Sequence, residues 1–140
     1  MWVYPYEDDR EHVIYNMVNG LLLRPYISGM VWKMSEENLK LMAEGIALYK
    51  QIRDGIKDGV PIFPLGFADL ESKQLVYGIK TEDRVYLAVL APKNCKRQDS
   101  TGLWKKKIEK SIGHLPDTVD CKFCYDENEL CVELPQEKCA

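Results

Sequence analysis

The sequence predicts an α+β protein, because its apolar residues follow two different spacings along the chain. As far as Asp58 they recur at intervals of three and four, which is typical of helices. From Val60 onward they alternate in short runs between polar turns, which is typical of strands. The chain has 140 residues, of which 46% are hydrophobic, enough for a sizeable core. We therefore predict a helical segment over residues 1–59, followed by a small antiparallel β-domain over residues 60–140.

The first helix is predicted from about Asp8 to Val18. Residues 7–9 are all acidic and lie where the helix macrodipole favours negative charge. The apolar stripe that follows consists of Val13, Ile14, Met17 and Val18. Gly20 is predicted to end this helix. The next segment, Leu21–Gly29, is short and apolar, which favours one buried strand or an extended crossing, with Pro25 at its start or on an unpaired side.

The second predicted helix has the clearest pattern. Ser35 is a good N-cap, and the two residues after it are glutamates. Gly59 and Pro61 are predicted to end the helix. One wide apolar stripe runs along it and consists of Leu39, Met42, Ile46, Tyr49, Ile52 and Ile56. Gly45 and Gly55 each cost up to about 1 kcal/mol relative to alanine, so we expect a packed neighbour to approach the helix closely there.

Short strands are predicted after Val60. Gln74–Ile79 and Arg84–Ala91 are two of them, joined by a polar turn at residues 80–83. Leu103–Glu109 is a predicted third strand. The fourth and fifth follow from two alternating sets, Val119, Cys121 and Phe123, then Leu130, Val132 and Leu134. Strands at this spacing favour a small β-sandwich.

Charge and hydropathy exclude several partners. With 19 basic against 22 acidic side chains the net charge is −3, which disfavours nucleic acid as the main partner. The longest apolar stretch, Val85–Ala91, is far shorter than the roughly 20 residues that span a bilayer, so no membrane partner is predicted. Residues 1–9 have neither the basic nor the apolar region of a signal peptide, and we expect a cytoplasmic protein with reduced thiols.

The cysteines lie in the last third of the chain, at Cys95, Cys121, Cys124, Cys131 and Cys139. One alternative is a zinc site formed by the last four cysteines, because Cys121 and Cys124 have the CxxC spacing of zinc ligands. However, a strand places residues three apart on opposite faces, and no glycine or proline lies nearby to turn the chain. Buried structural thiols are therefore predicted, with redox activity as a further alternative. No metal and no cofactor is predicted.

The sequence has no recognisable catalytic motif. His12 and His114 are its only histidines, and neither has a nucleophile or metal-ligand pattern around it. No glycine-rich phosphate loop, HExxH or GxSxG sequence is present. The acidic run at residues 7–9 is interpreted as helix N-terminal charge, because paired catalytic carboxylates usually come from separate strand ends. No catalytic residue is therefore predicted.

Several short stretches follow one another in a particular order between Arg10 and Gly66. They are Tyr15-Asn16-Met17-Val18-Asn19-Gly20, Arg24-Pro25-Tyr26-Ile27-Ser28-Gly29, Met34-Ser35-Glu36-Glu37-Asn38, Gly45-Ile46, Tyr49-Lys50, Ile52-Arg53 and Pro64-Leu65-Gly66. This order resembles the C-terminal portion of glycoside hydrolase family 36, the melibiase-like α-galactosidases. Val85–Val89 is similar to the central strand of that family's β-domain, and Glu133–Pro135 to its closing segment.

The resemblance implies that residues 1–59 are the last strand and helices of a (β/α)8 barrel, followed by the β-domain. A whole barrel takes about 250 residues, so the chain is expected to be a non-catalytic C-terminal fragment. Its parent enzyme would hydrolyse terminal α-galactosides by a retaining mechanism. The family's two catalytic aspartates lie on earlier barrel strands, which no segment here matches.

Ser28, Gly29 and Trp32 follow the strand that this resemblance places last in the barrel. They are the residues expected nearest the pocket for the α-galactoside or related oligosaccharide, because ligand-facing groups in such barrels lie at the C-terminal ends of the strands. The alternative is a buried turn with Trp32 in the core.

A second hypothesis, from a different class of function, is that the chain is a free-standing β-sandwich module that binds carbohydrate or protein. Its aromatic platform would be one of Trp104, Tyr77, Tyr86 and Tyr125. In the fragment interpretation, Leu21–Ile27 lacks both neighbouring strands and the apolar stripe of the second helix lacks part of its packing partner. We therefore expect self-association through the exposed apolar face.

Overall fold

The computed structural model describes residues 2–3, 9–69, 71–72, 75–90, 98–101, 122–126 and 129–133, with the backbone alone for Trp2 and for the last three ranges. In chain order the elements are β1 (Trp2–Val3), α1 (Arg10–Leu21), β2 (Tyr26–Ile27), a 3₁₀ turn (Val31–Lys33), α2 (Glu36–Ile56), β3 (Val60–Ile62), β4 (Leu75–Lys80), β5 (Val85–Leu90), β6 (Gln98–Thr101), β7 (Lys122–Asp126) and β8 (Glu129–Glu133). The predicted α+β class is confirmed, with helices first and antiparallel sheets after them. Within these residues neither helix combines the length and the apolar character needed to cross a membrane.

Helix α1 begins after Asp9, whose side chain caps it. Asp9 Oδ1 accepts hydrogen bonds from the backbone N–H of Glu11 at 2.8 Å and from that of His12 at 3.2 Å. The prediction that Gly20 ends this helix is wrong, because Gly20 lies inside the last turn. A Cβ at Gly20 would lie 2.6 Å from Cγ2 of Val3, so the glycine lets the helix approach β1 closely. The other acidic residues of the predicted N-terminus, 7 and 8, lie outside the described residues.

The segment after α1 forms a much shorter strand than predicted. Strand β2 pairs in parallel with β1, with Trp2 opposite Tyr26 and Val3 opposite Ile27. Pro25 immediately precedes the strand, as expected of a residue without an N–H. The side chains of Tyr26 and Ile27 are both exposed, so the prediction of a buried strand is wrong. Burial of a parallel strand requires layers on both faces of a wider sheet, which this two-stranded pair does not provide.

Helix α2 confirms the predicted start, because Ser35 is its N-cap and Ser35 Oγ accepts a hydrogen bond from the Asn38 backbone N–H at 3.4 Å. Its buried face is rotated relative to the predicted stripe at the first turn. Leu39 is 38% exposed, whereas Leu41 is 8% exposed. Later members of the stripe are buried or half-buried as predicted, namely Met42, Ile46, Tyr49, Ile52 and Ile56. The rotation follows from the position of α1, against which Leu41 packs.

Two hydrophobic clusters lie along the helix pair. The first combines β1 with the N-terminal parts of both helices, and its buried members are Val3, Val13, Met17, Leu41 and Met42. The second combines the C-terminal parts of both helices with the sheet, and its buried members are Leu22, Ile52, Ile56, Ile79, Tyr86 and Ala88. The second cluster therefore joins residues from both sides of position 59. The division into domains 1–59 and 60–140 stays a prediction.

The clusters show that α1 and α2 run parallel to each other, since N-terminal residues meet at one end and C-terminal residues at the other. An ion pair at the N-terminal end agrees with this, because Nε of Arg10 lies 3.6 Å from Oε1 of Glu37, in the first turn of α2. Strands β1 and β2 are also parallel. The first 56 residues therefore contain two successive strand–helix units of the same orientation.

Two three-stranded antiparallel sheets follow the helices, with strand orders β3-β4-β5 and β6-β8-β7. The predicted hairpin of β4 and β5 is confirmed, with Leu75 opposite Leu90 and Lys80 opposite Val85. Leu130 and Val132 of the predicted fifth strand lie in β8, and Phe123 of the predicted fourth lies in β7, which pairs with β8 as a hairpin. The other members of these two sets, Val119, Cys121 and Leu134, lie outside the described residues. Strands β3 and β6 were not predicted individually, and the predicted strand Leu103–Glu109 lies outside the described residues. Packing of the two sheets as a β-sandwich stays a prediction.

Candidate functional site

The chain turns sharply between β2 and α2, at the residues for which the sequence predicts ligand contact. The Ser28 backbone N–H donates to the Val3 carbonyl oxygen at 3.0 Å, which extends the pairing of β1 and β2 by one bond. Gly29 has φ of 104°, in the left-handed region that side chains rarely adopt. The glycine is therefore required by the turn. We call residues 28–34 the β2–α2 corner.

Trp32 lies at the centre of this corner, in the 3₁₀ turn. The turn is closed by hydrogen bonds from the Lys33 N–H to the Met30 carbonyl at 2.8 Å and from the Met34 N–H to the Val31 carbonyl at 3.2 Å. Val31 and Met34 pack against the first cluster and anchor the turn on both sides. Trp32 itself is 78% exposed, so the alternative in which it belongs to the core is wrong.

The exposed indole gives the corner a flat apolar surface in solvent. Large apolar side chains near it in the sequence, those of Tyr26, Ile27 and Met30, are also exposed. The corner carries one hydroxyl from Ser28 and one ammonium from Lys33, but no carboxylate, histidine or cysteine. Such a surface can bind a ligand by stacking and hydrogen bonding, but it holds no pair of groups for acid–base or nucleophilic catalysis. Ser28, Gly29 and Trp32 are brought together on one turn.

A second concave surface lies where α2 meets the β4–β5 turn. It is an open depression of about 360 Å³ lined by Gly55, Asp58, Thr81, Glu82, Asp83, Arg84 and Tyr86. Because α2 has 21 residues, this depression lies about 30 Å from the β2–α2 corner along the helix axis. The two surfaces are therefore separate.

Three polar residues of this depression, Thr81, Asp83 and Arg84, hold the turn. Thr81 Oγ1 donates to Asp83 Oδ1 at 3.0 Å and accepts from the Arg84 N–H at 3.1 Å. Nε of Arg84 lies 3.3 Å from Oδ2 of Asp83. A hydrogen bond with Tyr86 raises the pKa of Arg84, which stays cationic. These contacts stabilise the turn between β4 and β5.

Two further side chains have shifted acidities. Burial, with a smaller effect of Tyr15, raises the pKa of Tyr77 to about 12. The Tyr77 hydroxyl donates to the Asn19 carbonyl oxygen at 2.8 Å, near the end of α1. Hydrogen bonds from the Ser72 hydroxyl and the Glu71 N–H lower the pKa of Asp69, on an exposed loop. Neither shift lies at the β2–α2 corner, and both have structural causes.

The aromatic platform predicted for a binding module is corrected in part. Tyr86 is 8% exposed within the second cluster, and Tyr77 is half-buried and hydrogen-bonded to α1, so neither offers a free face. Trp104 lies outside the described residues, and Tyr125 is described by its backbone alone. Among the described aromatic residues, Trp32 and Phe67 have the most exposed rings, and neither was among the residues predicted for this module.

The zinc alternative concerns residues that are described only in part. Cys124 and Cys131 lie on the neighbouring strands β7 and β8, whereas Cys95, Cys121 and Cys139 lie outside the described residues. Among the described residues no group of three or more histidine, cysteine, aspartate or glutamate side chains is placed to hold a metal ion. The zinc alternative stays a prediction.

Comparison of the chain with protein families, with curated proteins and with solved structures found no match.

Proposed function

We propose that this chain is the non-catalytic C-terminal part of a glycosidase similar to the α-galactosidases of glycoside hydrolase family 36, with its carbohydrate-contacting residues in the β2–α2 corner. The observation that carries this proposal is the succession β1-α1-β2-α2 with parallel strands and parallel helices. Repetition of this unit builds a (β/α)8 barrel. The antiparallel sheets after α2 agree with a following β-sandwich domain, which belongs to the same proposal.

The position of the corner within the strand–helix unit supports a role in binding. In such barrels the ligand lies at the C-terminal ends of the strands, in the loops that lead to the helices. Ser28, Gly29 and Trp32 lie in the loop that leads from β2 to α2. An exposed indole offers a face on which the apolar side of a pyranose ring can stack, and a serine hydroxyl can hydrogen-bond a sugar hydroxyl.

Hydrolysis requires two carboxylates about 5–5.5 Å apart in a retaining enzyme. The corner holds none, so the chain contributes binding and shape, while the catalytic residues belong to other strands of the parent enzyme. The purified chain should not hydrolyse an aryl α-galactoside above a mock-purified control. Turnover that disappears when an aspartate or glutamate of this chain is substituted would overturn the proposal.

Binding is tested by titrating the purified chain with an α-galactoside such as melibiose and observing the indole N–H signals by NMR. The Trp32 signal should shift, and the Trp32→Ala variant should lose saturable binding. Phe67→Ala is the matched control, because Phe67 is also a highly exposed aromatic residue, at 84%, but lies after β3. Saturable binding that Phe67→Ala removes and Trp32→Ala retains would contradict the assignment, as would the absence of any shift.

A second candidate function is a free-standing carbohydrate- or protein-binding module. It is favoured by the second cluster, in which α2 packs against the β4–β5 hairpin within this chain. Light scattering separates the two proposals. A barrel fragment should self-associate through the exposed Tyr26 and Ile27 and through the edge of β2 that pairs with no described strand. A free-standing module should remain monomeric at micromolar concentration.

A further inference from the structure

Strands β7 and β8 bring two of the five cysteines to one position of an antiparallel ladder. Cys124 lies directly opposite Cys131. The pairing is continuous on both sides, with Phe123 opposite Val132 and Tyr125 opposite Leu130. Strand β8 is the central strand of its sheet, because its other edge pairs with β6. The register of the two cysteines is therefore held by neighbours on both edges of β8.

This register satisfies the backbone requirement of a disulfide. Residues directly opposite each other in an antiparallel pair have Cα atoms about 4.5 or 5.5 Å apart and Cβ atoms on the same face of the sheet. Disulfides form across Cα separations of about 4.4–6.8 Å. Cys124 and Cys131 can thus be joined without a change of strand register.

We propose that Cys124 and Cys131 are a reversible dithiol–disulfide pair across the β7–β8 hairpin, which is a redox modification site of this protein. The oxidant class is a low-molecular-weight disulfide such as oxidised glutathione. The thiolate of one cysteine attacks that disulfide, forms a mixed disulfide and releases one glutathione thiolate. The thiolate of the other cysteine then attacks the protein sulfur of the mixed disulfide and releases the second glutathione.

In sum, two protein thiols lose two electrons and two protons, and one glutathione disulfide becomes two glutathione thiols. Reduced glutathione or dithiothreitol reverses the reaction by the same exchange.

The sequence provides a direct readout. Trypsin cleaves after Lys122 and after Lys138, and the peptide between them contains Cys124 and Cys131 and no other cysteine. The reduced chain is incubated with oxidised glutathione, alkylated with iodoacetamide and digested. The peptide from Phe123 to Lys138 should lose the mass of two hydrogen atoms and carry no alkyl group. Treatment with dithiothreitol before alkylation should restore two alkyl groups.

Matched variants distinguish this pair from general thiol oxidation. Cys124→Ser and Cys131→Ser should each abolish the Cys124–Cys131 disulfide and leave a glutathione mixed disulfide on the remaining cysteine. Cys95→Ser should leave the Cys124–Cys131 disulfide unchanged. The same oxidation in urea should give mixed pairings that include Cys121 and Cys139, because the register is lost. Native samples in which the peptide is cross-linked to Cys121 or Cys139 would overturn the proposal. Equal formation of the Cys124–Cys131 disulfide in urea would also overturn the proposal. So would thiols whose response to oxidised glutathione depends only on whether zinc is bound.

Discussion

The hydroxyl of Tyr86 lies against the backbone of Gly55, in the space that a Cβ at that position would occupy. Tyr86 extends from β5 and is a buried member of the second cluster, whereas Gly55 lies in the last turn of α2. The glycine therefore allows the helix to lie close to the sheet. The prediction of a closely packed neighbour is confirmed for Gly55.

Substitution of Gly55 by alanine should destabilise the protein, although alanine is the better helix former. The intrinsic preference would stabilise the helix by up to about 1 kcal/mol. Overpacking against the buried phenol should outweigh it, with a net loss of about 1–2 kcal/mol in the free energy of unfolding, measured by chemical denaturation.

The Tyr86→Phe background is the control for this clash. It removes the hydroxyl and leaves the ring carbon Cζ, 3.2 Å from the position of the added Cβ. Gly55→Ala should cost at least about 1 kcal/mol less in this background, because the stability effects of substitutions at two residues in contact are not additive. Equal losses in both backgrounds would show that the hydroxyl does not cause the effect.

Alkaline pH should destabilise the protein through Tyr77. Its pKa is raised to about 12 from 10.0, first by burial, so the neutral phenol is favoured in the folded state. This stability is fully present below pH 10 and is lost as the pH rises through about 12, because the unfolded chain releases the proton first. The phenol is only half-buried, so the slope should be shallower than the full linkage value of about 1.4 kcal/mol per pH unit.

The Tyr77→Phe variant isolates this contribution. At neutral pH it should be less stable by about 1 kcal/mol, because the hydrogen bond to the Asn19 carbonyl is lost. Between about pH 10 and pH 12 its free energy of unfolding should fall less than that of the parent chain. Parallel pH profiles would assign the alkaline loss to other groups.

The Asp9 cap should contribute measurably to α1. Asp9→Ala removes the acceptor of two backbone N–H groups and should lower the free energy of unfolding by about 1 kcal/mol. Asp9→Asn keeps an acceptor oxygen without the charge and should cost less. If asparagine costs as much as alanine in thermal denaturation, charge at the helix N-terminus is the stabilising factor instead.

The buried face of α2 can be tested with two substitutions on the same helix. Ile52→Ala should cost about 2–4 kcal/mol, because Ile52 is 6% exposed in the second cluster. It should lower amide exchange protection in residues 75–90 as well as in 36–56, since both ranges share that cluster. Leu39→Ala, at a position that is 38% exposed, should cost about 0.5 kcal/mol or less. Loss of protection confined to α2 would show that helix and sheet unfold separately.

Local interactions explain which features could be predicted from the sequence. The Ser35 cap and the hairpin of β4 and β5 depend on residues within a few positions of each other, and both are present where expected. The turn at Ser28 and Gly29 is equally local, because its glycine adopts a left-handed φ. Amino-acid spacing and cap chemistry thus determine the α+β class, the span of α2 and the place of the β2–α2 corner.

Contacts between distant segments determine the features that could not be predicted from the sequence. Gly20 resembles a helix end in the sequence, but its role depends on Val3, which approaches from β1. Trp32 has the same apolar character as its neighbours Val31 and Met34, and only the first cluster determines which of them face inward. Cys124 and Cys131 are seven positions apart, and strand pairing alone places them opposite each other. Hydrophobic burial is non-directional, so apolar spacing predicts that a face is buried, whereas the tertiary packing determines which face and against what.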